Sequence, residues 1–244
     1  MHQGRGTKIG FGAICTAILL VGLQASAYAT SARPTLNTTA GFAGYLSITG
    51  SASIRDSVTF KVPAITGCGK KESVAVFGAF IAPISSPTNL IAASGVDILC
   101  PGGSATTPIY RAYLVAAPYG YGLSVTPRAG DYVTVSAAAS AKAGVDVTFK
   151  DWTQSDSSTV GSSQAAPSGL VALDGVVGAP NRTSPGWFPV PDFGSVIYTH
   201  GTVDGAPVPA DNVENMRDSQ DVQIRTGPLF GPHNAWIETF KAST

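Results

Sequence analysis

Charge is scarce in this chain. Only 12% of its 244 residues are Asp, Glu, Lys or Arg, and 15 basic residues balance 15 acidic ones. No basic stripe stands ready to neutralise phosphates, which argues against a nucleic-acid binder. Helical periodicity is lacking too: 28 Gly and 17 Pro punctuate the sequence, which excludes a coiled coil. No segment carries a helical apolar period with caps. Histidines number three and cysteines three, and none falls into metal-ligand spacing. No dense Asp/Asn loop suggests calcium. His200 and His233 read as isolated surface residues, and no Ser-His-Asp spacing stands out. No metal or cofactor is therefore expected. The one class the composition does support is a globular protein, since 44% of residues are hydrophobic.

A single long apolar run exists, and it sits at the start. Arg5 and Lys8 precede an uncharged stretch, 9–23, which ends in the small-x-small triplets Ala25-Ser26-Ala27 and Ala27-Tyr28-Ala29. That order makes a secretory signal peptide over 1–29, cleaved near Ala27 or Ala29. An uncleaved anchor is the alternative, but the run is shorter than the roughly 20 residues that span a bilayer. Without 1–29 the chain has 13 basic and 15 acidic residues, a formal charge of −2. A secreted monomer with no membrane span is expected. Residues 30–43 read as a polar lead-in and 44–244 as one domain. Two cysteines then remain, Cys68 and Cys100: one disulfide or two buried thiols. Asn37 and Asn181 head glycosylation sequons, used only where the host glycosylates.

The rest reads as strands and turns. Alternation recurs in YLSIT (45–49), VTFKV (58–62), DYVTVS (131–136), VDVTFK (145–150), GSVIYT (194–199) and AWIETF (235–240). Nearly continuous β-type runs cover 73–80 and 110–117. The Ala-rich stretch 137–143 lies between two such runs and is expected to be strand and hairpin. The Ser/Gly/Gln stretch 155–169 is expected to be an exposed loop or ragged edge. Many short strands between Gly, Pro, Ser and Asn predict an all-β, antiparallel sandwich or barrel.

Six segments, in order, resemble the glutamic peptidases of the G1 or eqolisin family, bacterial-type members especially. They are GYLSITG (44–50), VTFKVPAITGC (58–68), AASGVDILC (92–100), VTPRAGDYVTVS (125–136), VTFKDWTQ (147–154) and PDFGSVIYT (191–199). The likeness runs from about Gly44 to Gly205. It implies an antiparallel β-sandwich of two large sheets, similar to the concanavalin A-like lectins and glucanases. The bacterial-type pattern also places cysteines at Cys68 and Cys100, which favours the disulfide.

That family's chemistry needs two groups on the concave sheet face. A glutamate acts as general base on water, and a glutamine amide donates to the oxyanion. The glutamine lies four residues before an Asp in a Gln-Thr-Gly-Val-Asp pattern. Here Asp97 matches and Ala93 stands at the glutamine position. The Ala-Glu-Trp-Ile-Val-Glu pattern matches 173–178, so Asp174 stands for the base and Gly178 for the second glutamate. In the Tyr-x-Ala-Trp-Tyr-Glu strand, Tyr113 keeps an aromatic and Val115 loses the acid.

These departures lead to two readings. In the first, the family chemistry is lost and the protein binds a peptide or polysaccharide in its cleft, lined by Tyr110, Tyr113, Tyr119 and Tyr121. Asp97 belongs either to that cleft or to a buried turn, and Arg111 faces solvent. In the second, an acid endopeptidase survives with Asp174 as base and Asp97 as its candidate partner. A glycoside hydrolase would need two carboxylates facing one bond, and Glu72, Glu214 and Glu238 sit at no such spacing.

Overall fold

The structure is a computed structural model. It describes residues 37–39, 41–49, 51–66, 68–85, 90–122, 125–178, 189–210, 213–217 and 222–241. The signal-peptide reading and Asn181 lie outside these residues.

Among the described residues every regular element is a β-strand. In chain order they are β1 (Asn37–Thr39), β2 (Phe42–Thr49), β3 (Ser53–Lys61), β4 (Ser73–Pro83), β5 (Ala92–Cys100), β6 (Ile109–Ala116), β7 (Tyr119–Gly122) and β8 (Tyr132–Ser140). There follow β9 (Gly144–Asp151), β10 (Asp156–Ser162), β11 (Leu170–Gly178), β12 (Ser195–Val203), β13 (Ala206–Pro207), β14 (Val213–Arg217), β15 (Val222–Thr226) and β16 (Trp236–Phe240).

The main path of pairing runs β10-β9-β8-β3-β12-β16-β15-β14-β2-β11-β4-β5-β6-β7. It doubles back on itself into two layers. The first layer is β10-β9-β8-β3-β12, and the second is β2-β11-β4-β5-β6-β7. Strands β16, β15 and β14 carry the path from one to the other. Contacts of β8 with β4 and β5, and of β3 with β11, close the layers face to face. This is the two-sheet antiparallel sandwich expected from the turn-punctuated alternation.

Alternation decides which residues meet in the middle. On β8 the odd positions Val133, Val135, Ala137 and Ala139 are buried, and the even ones only partly so or exposed. The first layer thus turns one face to the core and one to water, as 131–136 predicted. The second layer differs, because β11 is buried at every position. Its inward face joins the interlayer core through Tyr45, Ala79, Leu114 and Val176. Its outward face forms a second apolar cluster with Phe42, Leu46, Val76, Phe80, Ala93, Val115 and Leu173.

Aromatic rings tie the two layers together. Phe60 on β3 lies 5.2 Å from Tyr198 on β12, which stacks on Trp236 of β16 at 4.9 Å. Trp236 then meets Tyr45 of β2 edge-on at 5.1 Å. The tail from 213 onward therefore completes the sandwich. Cys68 and Cys100 form a disulfide, joining the loop after β3 to the end of β5. The Ser/Gly/Gln stretch yields β10, an edge strand exposed along most of its length.

One row fixes the register of the second layer. Gly44, Gly175, Gly78 and Gly95 are direct cross-strand partners on β2, β11, β4 and β5. A Cβ on Gly95 would overlap the Phe77 carbonyl, and one on Gly78 the Ser94 carbonyl. Neither backbone can yield without breaking a ladder. Gly95→Ala is expected to cost more than about 2 kcal/mol in urea unfolding, as backbone overlap in a packed sheet does.

Candidate functional site

The site expected on the second layer is built from β11, β4, β5 and β6. Paired residues across an antiparallel sheet share a face. Ala93 pairs with Phe80 and with Val115, and Phe80 pairs with Leu173, which pairs with Leu46. The row Leu46-Leu173-Phe80-Ala93-Val115 thus lies on the outward face. Asp174 pairs with Ala79, and Ala79 with Ser94, so these point inward.

The structure does not bring Asp174 and Ala93 onto one face. They lie on opposite sides of the same sheet, because adjacent strand residues alternate. Position 174 is one residue out of phase with position 93. On the outward face β11 presents Leu173, Gly175 and Val177, none of which can take a proton from water. Gly178 lies on the inward side with Asp174. Asp97 is on the outward face, so it cannot pair with Asp174 either.

Asp97 is held by Arg111, its direct cross-strand partner. Arg111 Nε donates to Asp97 Oδ2 at 3.0 Å, and Nη2 donates to the same oxygen. Burial raises the Asp97 pKa, and the guanidinium charge pulls it part of the way back. The turn-amide reading of Asp97 therefore gives way to an ion pair. Arg111 is half exposed, at 51%, and marks the open margin of the face.

The four tyrosines do not line one cleft. Tyr110 pairs with Ile98 and points inward, where its hydroxyl accepts from the Ile65 N–H at 3.1 Å. Tyr113 pairs with Gly95 and packs on the outward cluster. Tyr119 is exposed at the end of the layer. The side chain of Tyr121 is outside the described residues.

Two groups that the sequence reading passed over matter more. Asp56 on β3 faces Asp174 across the core, and both are essentially inaccessible, at 0% and 1%. At ordinary hydrogen-bond geometry Asp56 Oδ1 and Oδ2 and Asp174 Oδ1 have no donor. Burial raises both carboxyls, and the charge of Asp56 pushes Asp174 well above the usual range. Two neighbouring carboxyls in a dry core are stable only when at least one of them is protonated. Asp204 nearby also raises Asp56. The second group is Glu238 on β16, fully buried and pushed up to about 8 by burial. Trp236 Nε1 donates to its Oε1 at 3.0 Å, and Thr226 Oγ1, which donates to the Glu214 carbonyl at 2.6 Å, lies 3.2 Å from its Oε2. Tyr198 lies between these acids, and its hydroxyl has no partner. The signal was an acid at an apolar phase: Asp56 follows Ile54 and precedes Val58, and Glu238 follows Trp236.

Glu214 is a further buried acid, paired with Gly44 at the opposite margin of the outward face. Four strand spacings of about 4.8 Å put its backbone roughly 19 Å from that of Ala93. The two cannot act on one bond. Among the described residues no group of three or more His, Cys, Asp or Glu could hold a metal ion. No described helix is long and apolar enough to cross a membrane.

Solved structures share this architecture. Scytalido-glutamic peptidase, solved with a peptide-based transition state analogue, superposes at a TM-score of 0.65 over 83% of this chain and 98% of that one, at 17% identity. SCP-B, a member of the eqolisin family solved with the tripeptide Ala-Ile-His, gives 0.62 over the same shares at 16% identity. Aspergilloglutamic peptidase from Aspergillus niger gives 0.51 over 70% of this chain and 98% of that one, at 21% identity. The likeness is one of fold. No family model and no curated protein matches the sequence.

The buried acids set a pH dependence with a definite sign. Asp56 rises from 3.8 to about 7 and Glu238 from 4.5 to about 8. Below the unfolded values both states are protonated and no penalty arises. Above them the unfolded chain releases protons that the folded chain keeps, so stability falls as pH rises. Each group contributes a slope of about 1.4 kcal/mol per pH unit across its window, and none above it. The melting temperature is expected to drop steadily between pH 4 and pH 8. Asp174→Asn and Glu238→Gln should each flatten that drop, as followed by circular dichroism.

Proposed function

We propose that this is a secreted, glutamic peptidase-like sandwich that has lost the family's catalysis and serves as a binding or structural protein. One observation carries the proposal: the row Leu46-Leu173-Phe80-Ala93-Val115 is apolar where that chemistry needs an amide donor and a carboxylate. Loss of one oxyanion donor alone costs on the order of 100- to 1,000-fold in rate. Asp174 cannot replace the base from the interior, where it is buried beside Asp56 and burial favours its protonated form. Asp97 is engaged in an ion pair with Arg111 at the margin of the face, and Ala93 beside it offers no amide donor.

The binding role rests on the open margin, where Arg111 and Tyr113 flank the apolar cluster. The apolar row itself is buried, so a ligand would meet Arg111 and the partly exposed Tyr113 at this margin. The disulfide fits an oxidising compartment, and the N-terminal run supplies the route there.

The test is cleavage of a denatured protein by the purified secreted chain from pH 2 to pH 7. The expected result is no cleavage above a buffer blank from folded, disulfide-bonded protein. Cleavage that Asp174→Asn abolishes while the fold survives would overturn the proposal and establish an acid endopeptidase with Asp174 as base. N-terminal sequencing of the same preparation is expected to begin at Tyr28 or Thr30. A start at Met1 would contradict secretion by a cleaved signal.

A further inference from the structure

The outer face of the first layer carries an aromatic and hydroxyl patch that the peptidase-like face does not explain. Lys61 pairs with Tyr132 across β3 and β8. Trp152, just after β9, donates its backbone N–H to the Tyr132 carbonyl at 2.9 Å. These three side by side cover two strand spacings, about 10 Å. Tyr132 and Trp152 are each 55% exposed. The row below is Thr59, Thr134 and Lys150, and the next is Ser57, Ser136, Thr148 and Thr159.

The patch is held rather than loose. Trp152 Nε1 donates to Thr134 Oγ1 at 2.8 Å, and Thr134 Oγ1 is 2.7 Å from Thr59 Oγ1. Lys150 Nζ sits 3.2 Å from the centre of the Trp152 ring, and Lys61 Nζ 5.8 Å from that of Tyr132. Fixing a half-exposed tryptophan in advance removes part of the entropy cost of binding. The charges beside the rings are both positive. Asp151 and Asp131 are buried and accept from Gln154, while Asp146 shares a distant row with Arg55.

We propose that this face binds an acidic polysaccharide. The rings of Tyr132 and Trp152 offer flat apolar surfaces to the C–H faces of pyranose units. The serine and threonine rows offer donors and acceptors to sugar hydroxyls. Lys61 and Lys150 pair with uronate carboxylates, which sets the charge of the partner. A neutral glucan would leave both ammoniums unanswered. The patch lies on the opposite layer from Ala93, so it stands or falls independently of the peptidase-like face.

The probe is polygalacturonate, with neutral dextran as the comparison, in affinity electrophoresis and by tryptophan fluorescence, with Trp152→Ala identifying the share due to Trp152. Retention by polygalacturonate but not dextran is expected, weakening as NaCl is raised. Trp152→Ala should weaken it about tenfold or more, as loss of an aromatic anchor does. Lys150→Gln, which leaves the ring in place, should weaken it and lower its salt dependence. Melting curves confirm that both variants fold. No retention of the wild type overturns the proposal. So does retention that both variants preserve, or equal retention by dextran.

Discussion

The glycine row across β2, β11, β4 and β5 constrains the whole second layer. Gly44, Gly175, Gly78 and Gly95 stand opposite one another because each would otherwise overlap a neighbouring carbonyl. Once they are aligned, the face of every other residue on four strands is settled by alternation. A slip by one residue would place side chains where only glycine fits. It would also exchange the two apolar clusters. The position of Asp174 in the interior follows directly, since it is the immediate neighbour of Gly175.

That position is costly, and the structure shows how the cost is contained. A lone carboxylate in a dry core is unstable by several kcal/mol. Asp174 meets Asp56 instead of water, and protonation removes the repulsion between them. Glu238 is raised by burial, and the Trp236 indole that donates to its Oε1 pulls it part of the way back. In both places it is burial that favours the protonated acid. A fold that buries Asp56, Asp174 and Glu238 with raised pKa values loses least stability in acidic surroundings, whatever its outer faces do. The ring stack of Phe60, Tyr198, Trp236 and Tyr45 surrounds these acids and keeps water away.

Much of the fold was legible in the sequence. Strict alternation in 131–136 and 145–150 marked β8 and β9, because one face of that layer meets water. The Ser/Gly/Gln stretch showed itself as an edge through its polarity. The register of the site strands was harder to read. LVALDGVVG is apolar on both faces, so period two leaves no mark on it, and its phase is fixed only by glycine partners on other strands. Asp174 was therefore assigned to the wrong face. Tyr110 met the same fate, because an aromatic on a doubly covered layer can point either way. Asp56 was overlooked because SIRDSV reads as polar, yet its phase with Ile54 and Val58 puts it inside.

The two faces of the second layer explain how this fold persists at 16 to 21% identity to glutamic peptidases of known structure. The inward face carries the interlayer packing, and changes there are felt through cavities and overlap. The outward face carries no interlayer packing. Ala, Val and Leu there suit strand propensity and pack together as a second buried cluster. At Ala93, Leu173 and Val115 no polar group stands, while Arg111 and Asp97 persist as a mutually satisfied pair. The interlayer face thus carries the fold. The outward row Leu46-Leu173-Phe80-Ala93-Val115 is hydrocarbon throughout and is buried as a cluster of its own.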